Sequence, residues 1–201
     1  PENLTALSGL KELYITDCML MHEFLEDFPY DQLPSLETLK LWRCGLTRFP
    51  SSILRCAKLK SLDLVETEFD ALPEEIGVLS DLEEISLFES KITRLPDSFF
   101  TLTKLTRISL ENSALEFLDD RIGTFSGLER LSLSRTAIRE IPSAIGQCSA
   151  LKIIDMGDSK IQTLPEELRN CRQLENIFCY NNQRDWIRER LDELGMTGVE
   201  A

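Results

Sequence analysis

Histidine is nearly absent: the 201 residues hold one, His22. A lone imidazole without a metal-spaced partner is more often a surface residue than a ligand. No HExxH, GxSxG or Gly-rich phosphate loop accompanies it. Basic residues are also scarce, 22 Lys and Arg against 35 Asp and Glu, for a formal charge of −13 and a pI near 4.6. Nucleic-acid binding needs a basic stripe, and an anionic membrane surface attracts polybasic segments, so the acid excess argues against both. No apolar run is long enough to cross a bilayer. No signal peptide opens the chain, although Pro1 rather than Met stands first, so that lack says little.

What the chain has is repetition. Leu36, Leu59, Leu82, Leu105, Leu128 and Leu151 open units of 23 residues. In the unit from Leu59 the apolar places are Leu59, Leu62, Leu64, Phe69, Leu72, Ile76 and Leu79. In the next they are Leu82, Ile85, Leu87, Ile92, Leu95, Phe99 and Leu102. A fixed period of this length means stacked supersecondary units, each burying its apolar face against its neighbours. The Leu-x-Leu alternation makes each unit start with a short strand, Leu62 and Leu64 inward, Ser61, Asp63 and Val65 outward. The Leu-Pro half returns as a turn or short helix, Pro being tolerated at its first position. Acidic pairs at Glu74-Glu75, Asp119-Asp120 and Glu166-Glu167 are favoured by the helix dipole there and read as helix starters.

The boundaries are read as an array over 1–183, a capping helix over 184–195 and a tail over 196–201. The array contains seven full repeats from Leu10 and a last strand at 174–183. Pro1 matches Pro73, Leu4 matches Ile76 and Leu7 matches Leu79, so the array starts in mid-repeat, which implies a further repeat upstream. The first full repeat is three residues longer than the others, its excess lying after the strand around Met21, His22 and Phe24. Asp185 is the expected N-cap of the terminal helix, whose Trp186, Ile187, Leu191 and Leu194 would cover the array's end. The six cysteines fall on inward positions: Cys18 and Cys44 at position 9, Cys56, Cys148 and Cys171 at position 21, Cys179 at position 6. They read as reduced core thiols of a cytosolic protein, with a Cys148–Cys171 disulfide as the minority alternative. Position 9 also carries Thr67, Ser90, Ser113, Thr136, Ser159 and Asn182, side chains that can bond the turn backbone.

The pattern LxxLxLxx[TSCN]x[LI]xxLPxxIGxLxx resembles the leucine-rich repeats of Ras-group intracellular proteins, plant immune receptors and bacterial effectors. That resemblance implies an α/β horseshoe solenoid, with a parallel sheet on the concave face and turns or short helices on the convex face. It also implies recognition of a partner protein across strand positions 3, 5, 7 and 8. Trp42, Val65 and Phe88 at position 7 would form an apolar stripe with Tyr14 one strand away, the kind of cluster that makes interface hot spots. Around it lie Lys40, Arg43, Asp63, Glu66, Glu84 and Glu89. Arg107 and Arg130, grouped with Arg135, make a basic patch suited to an acidic segment.

The expected function is therefore protein–protein recognition, without catalysis, cofactor, metal, nucleic acid or membrane. The expected setting is the cytoplasm (a host's, if the chain is an effector), and the expected state is a monomer when the N-terminal end is capped. One alternative is the substrate-recognition segment of a larger enzyme such as a ubiquitin-ligase effector, kinase or GTPase. Another is self-association through the uncapped N-terminal end.

Overall fold

The repeats form a solenoid. The computed structural model describes residues 4–201; the matching of Pro1 to Pro73 lies outside them. Eight strands form one parallel sheet in sequence order: β1 Glu12–Thr16, β2 Thr38–Trp42, β3 Ser61–Val65, β4 Glu84–Ser86, β5 Arg107–Ser109, β6 Arg130–Ser132, β7 Ile153–Asp155 and β8 Asn176–Phe178. Each strand pairs position for position with the next, for example Lys40 with Asp63 and Ile85 with Ile108. The Leu-Pro halves return as single 3₁₀ turns, among them Asp97–Thr101, Ser143–Gln147 and Glu166–Asn170. The core runs as a line between sheet and turns, and Leu62, Leu64, Leu82, Leu87, Phe99 and Leu128 are completely buried in it. Among the described residues no helix is long and apolar enough to cross a membrane.

Position 8 of every full repeat adopts a left-handed backbone. Asp17, Arg43, Glu66, Glu89, Asn112, Arg135 and Asp158 have φ between 54° and 58°. A side chain there costs about 1 kcal/mol for residues other than Gly. The strand must turn sharply at this point to deliver position 9 inward, and the register with the neighbouring repeat holds it there. Glu66 and Glu89 donate their backbone N–H to the carbonyls of Phe88 and Glu111 at 2.9 and 3.0 Å.

The long first repeat builds a short helix, α1 (His22–Glu26). Its last residue, Glu26, is buried, and Oε1 accepts hydrogen bonds from Thr47 N, Thr47 Oγ1 and Arg48 N at 2.5, 2.9 and 3.1 Å. The Arg48 guanidinium lies 3.0 Å from Oε2. The extra residues are thus tied to the second repeat by a buried carboxylate, while Met19, Leu20, Met21 and Phe24 project into solvent.

Several expectations change. The terminal helix α2 spans Asn181–Glu193, three residues earlier than expected at its start. Asp185 lies inside it; Tyr180 is the N-cap, and Gln183 closes a capping box. Asn182 is accordingly exposed in the helix. Gln183 supplies the inward amide, accepting from Asp158 N and donating to the Ser159 carbonyl at 3.2 and 3.4 Å. The tail is tied to the sheet: Glu200 N–H donates to the Glu175 carbonyl and the Glu200 carbonyl accepts from Ile177 N–H, extending the sheet past β8. Leu7 is 45% exposed where its counterpart Leu79 is buried, since no described residues pack over it. Cys18 and Cys179 are half-buried rather than core, and all six thiols are free.

Candidate functional site

The outward strand positions line up as columns across the concave sheet. Trp42 and Val65 are direct strand partners, and Thr16 precedes Trp42 in the same column. Phe88 lies just beyond β4, but the hydrogen bond from Glu66 N–H to its carbonyl keeps it in line. Tyr14 and Trp42 are 53% and 39% exposed; Val65 and Phe88 are half-buried, their inner edges covered by neighbouring strands. The stripe is thus widest at its Trp42 end.

Lys40 organises that end. Its ammonium lies 5.6 Å from the Tyr14 ring centre and 5.5 Å from that of Trp42, with the Asp63 carboxylate 3.8 Å away. Each cation–π contact contributes about 0.5–1 kcal/mol at such a half-open site, and together they hold both rings in place. The Tyr14 hydroxyl donates to Glu12 at 2.7 Å. Burial pushes the Asp63 carboxyl above its usual range, while the nearby Trp42 indole, Lys40 ammonium and Ser86 hydroxyl pull it down. Its Oδ1 is buried and accepts no hydrogen bond.

The remaining candidates divide between the two margins of the sheet. Arg43, Glu66 and Glu89 occupy the left-handed column, where Arg43 bridges Asp17 and Glu66 at 3.7 and 3.1 Å and Glu89 accepts from Asn112 at 3.0 Å. Arg107 and Arg130 are strand partners on the opposite margin. Arg107 is ion-paired with Glu84. Arg135 does not join them; it sits in the left-handed column and meets the Tyr180 hydroxyl at 3.4 Å. Four strand spacings, ~19 Å, separate the strands of Trp42 and Arg130, so stripe and basic pair are distinct contact points on one sheet.

Between them lies a floor of small side chains, Ser86, Ser109 and Ser132, which face one another in register. With Lys40, Asp63, Glu84, Arg107 and Arg130 they line a groove of about 160 Å³. These serines are central, yet no single one stands out from an ordinary outward residue; only their run down one column marks them. Two larger hollows, one lined by Glu116–Asp120 and Arg139–Ser143, lie on the far side of the repeats.

Residues 51–134 match the family described as leucine-rich repeat region. With the 23-residue period and the parallel sheet, this match gives the chain a leucine-rich-repeat fold. Among solved structures it is similar to the leucine-rich-repeat protein LIC12759 of Leptospira interrogans, at TM-score 0.67 and 23% identity, covering 100% of this chain and 57% of that one. It is also similar to internalin C2 of Listeria monocytogenes, at TM-score 0.75 and 15% identity, over 98% of this chain and 83% of that one. A third is the plant peptide hormone receptor RGFR1, solved in complex with RGF2, at TM-score 0.60 and 23% identity over 85% and 30%. These identities establish a shared fold. The chain spans less than two thirds of LIC12759 and less than one third of RGFR1. No curated protein sequence matches it. Leucine-rich-repeat arrays commonly act as protein-interaction modules and are generally non-catalytic.

Proposed function

We propose that this chain holds a partner protein on its concave sheet and catalyses no reaction itself. The observation that carries the reading is the set of aromatic and apolar side chains at sheet positions where the fold has no use for them. Leu39 and Leu41 fill the core from β2, whereas Trp42 on the same strand stays 39% exposed. Exposed Trp and Tyr in a defined cluster are typical anchors of protein interfaces. The Lys40 contacts restrain two of these rings before any partner arrives, which lowers the ordering cost of binding. The RGFR1–RGF2 complex supports a binding role for an array of this fold.

Among the described residues no group of His, Cys, Asp and Glu is arranged to hold a metal ion. Burial pushes the Cys56 and Cys171 thiols up to about 11 and Cys148 to about 12, which keeps them protonated and unreactive at neutral pH. Six free thiols suit a reducing compartment, and the cytosol is the proposed setting.

The test is capture from cell extract by the native chain beside a Trp42→Ala, Phe88→Ala double variant, followed by calorimetry with the identified partner. Binding weakened about a hundredfold by the double change supports the reading. Equal affinity for both proteins overturns it and moves the site elsewhere, first to the exposed Met19–Phe24 protrusion.

A further inference from the structure

We infer that the partner engages the groove through an extended segment that crosses β4 to β6 diagonally, setting an apolar or aromatic side chain on Phe88 and a carboxylate on Arg130. This rests on the concave-face reading and specifies its ligand.

The path follows from register. Phe88 stands at position 7 of the β4 repeat, Ser109 at position 5 on β5 and Arg130 at position 3 on β6. Ser109 therefore lies midway between the two ends. Two strand spacings, ~10 Å, and four residues along a strand, ~13 Å, give a diagonal of ~16 Å. An extended chain covers that in about five residues. The groove of about 160 Å³ over Ser86, Ser109 and Ser132 has room for a backbone but not for a row of large side chains.

Charge selects the second anchor. The other concave cations are engaged: Lys40 by Asp63, Arg43 by Asp17 and Glu66, Arg107 by Glu84 and Arg135 by the Tyr180 hydroxyl. Arg130 is exposed on the strand beside Arg107, and its guanidinium has no acidic or hydrogen-bonding partner among the described residues. On a chain of net charge −13 such an unmatched guanidinium on the lining of a groove fits a carboxylate, which it can bind through two parallel hydrogen bonds.

The experiment selects phage-displayed random dodecapeptides on the intact chain and measures the enriched peptides by fluorescence polarisation. The expected sequences pair an apolar or aromatic residue with Asp or Glu about five positions away. Arg130→Ala weakens them about tenfold or more, and selection on Arg130→Glu exchanges the acidic residue for Lys or Arg. Peptides without an acidic residue, or unmoved by Arg130→Ala yet lost with the Trp42→Ala, Phe88→Ala double variant, overturn this inference and leave the concave-face reading standing. Peptides indifferent to all these changes count against both. Failure to enrich any peptide overturns recognition of a linear segment.

Discussion

Replacing Glu26 by Ala removes a buried carboxylate that ties the long first repeat to the second. Three donors, Thr47 N, Thr47 Oγ1 and Arg48 N, then lose their acceptor, and the Arg48 guanidinium loses one of its two carboxylate partners, keeping Asp27 at 2.6 Å. A stranded donor is worth about 1–3 kcal/mol where water cannot reach it, but Thr47 and Arg48 are exposed residues and water enters the vacated space, so the sum is truncated to about 2–4 kcal/mol. Glu26→Gln keeps one oxygen acceptor and loses the charge, which costs about 1–2 kcal/mol. Burial pushes the Glu26 carboxyl up, yet the Thr47 and Arg48 donors together outweigh it and hold the group below its ordinary 4.5. The stabilisation from ionised Glu26 is therefore complete above about pH 4.5. It fades as pH falls through the depressed folded value. Urea unfolding at pH 7 should separate native from Glu26→Gln, and the two should converge as the pH falls through that depressed value. Hydrogen exchange at Thr47 and Arg48 should speed up first, because neighbouring repeats are only locally coupled. An Ala variant within about 0.5 kcal/mol of native at pH 7 would refute the reasoning.

Other outcomes follow from single positions. Leu87→Ala, in the completely buried column, should destabilise by about 2–5 kcal/mol in urea melts. Trp42→Ala should shift stability by about 1 kcal/mol or less; a core-sized loss would show that Trp42 supports the fold and not a surface. At Glu66, held at φ 55°, Asn should be neutral or slightly stabilising by thermal melting, and Val should be destabilising by about 1–3 kcal/mol. In a thiol-reagent time course on native protein, Cys18 and Cys179 should react first, while Cys44, Cys56, Cys148 and Cys171 wait for unfolding.

The solenoid was readable because each inward place is repeated down the chain, so one ambiguous residue is outvoted by its equivalents. Where a feature occurs once, that averaging vanishes. Asp185 is the better N-cap by residue type, but Ile187 and Leu191 must reach the core, and that requirement draws the helix start back to Asn181. The role of Glu26 was hidden because its partners Thr47 and Arg48 lie in the next repeat, beyond any local pattern. The left-handed column was hidden too, since Arg43, Glu66, Glu89 and Arg135 are not the residue types such a backbone favours. At the candidate site the columns could be read from spacing. The partnering of Lys40 with both Tyr14 and Trp42, and the isolation of Arg130, depend on side-chain reach across strands.

The pairing of Glu200 beside β8 also bears on how the protein behaves in crowded solution. A parallel sheet ends in a row of unsatisfied backbone groups that can recruit a strand from another molecule. Here Glu175 and Ile177 already spend their outward hydrogen bonds on Glu200, and α2 packs Ile187 and Leu191 into the core beside them. An intruding strand must displace both before it can add on, so this margin of the sheet is guarded against fibrous growth.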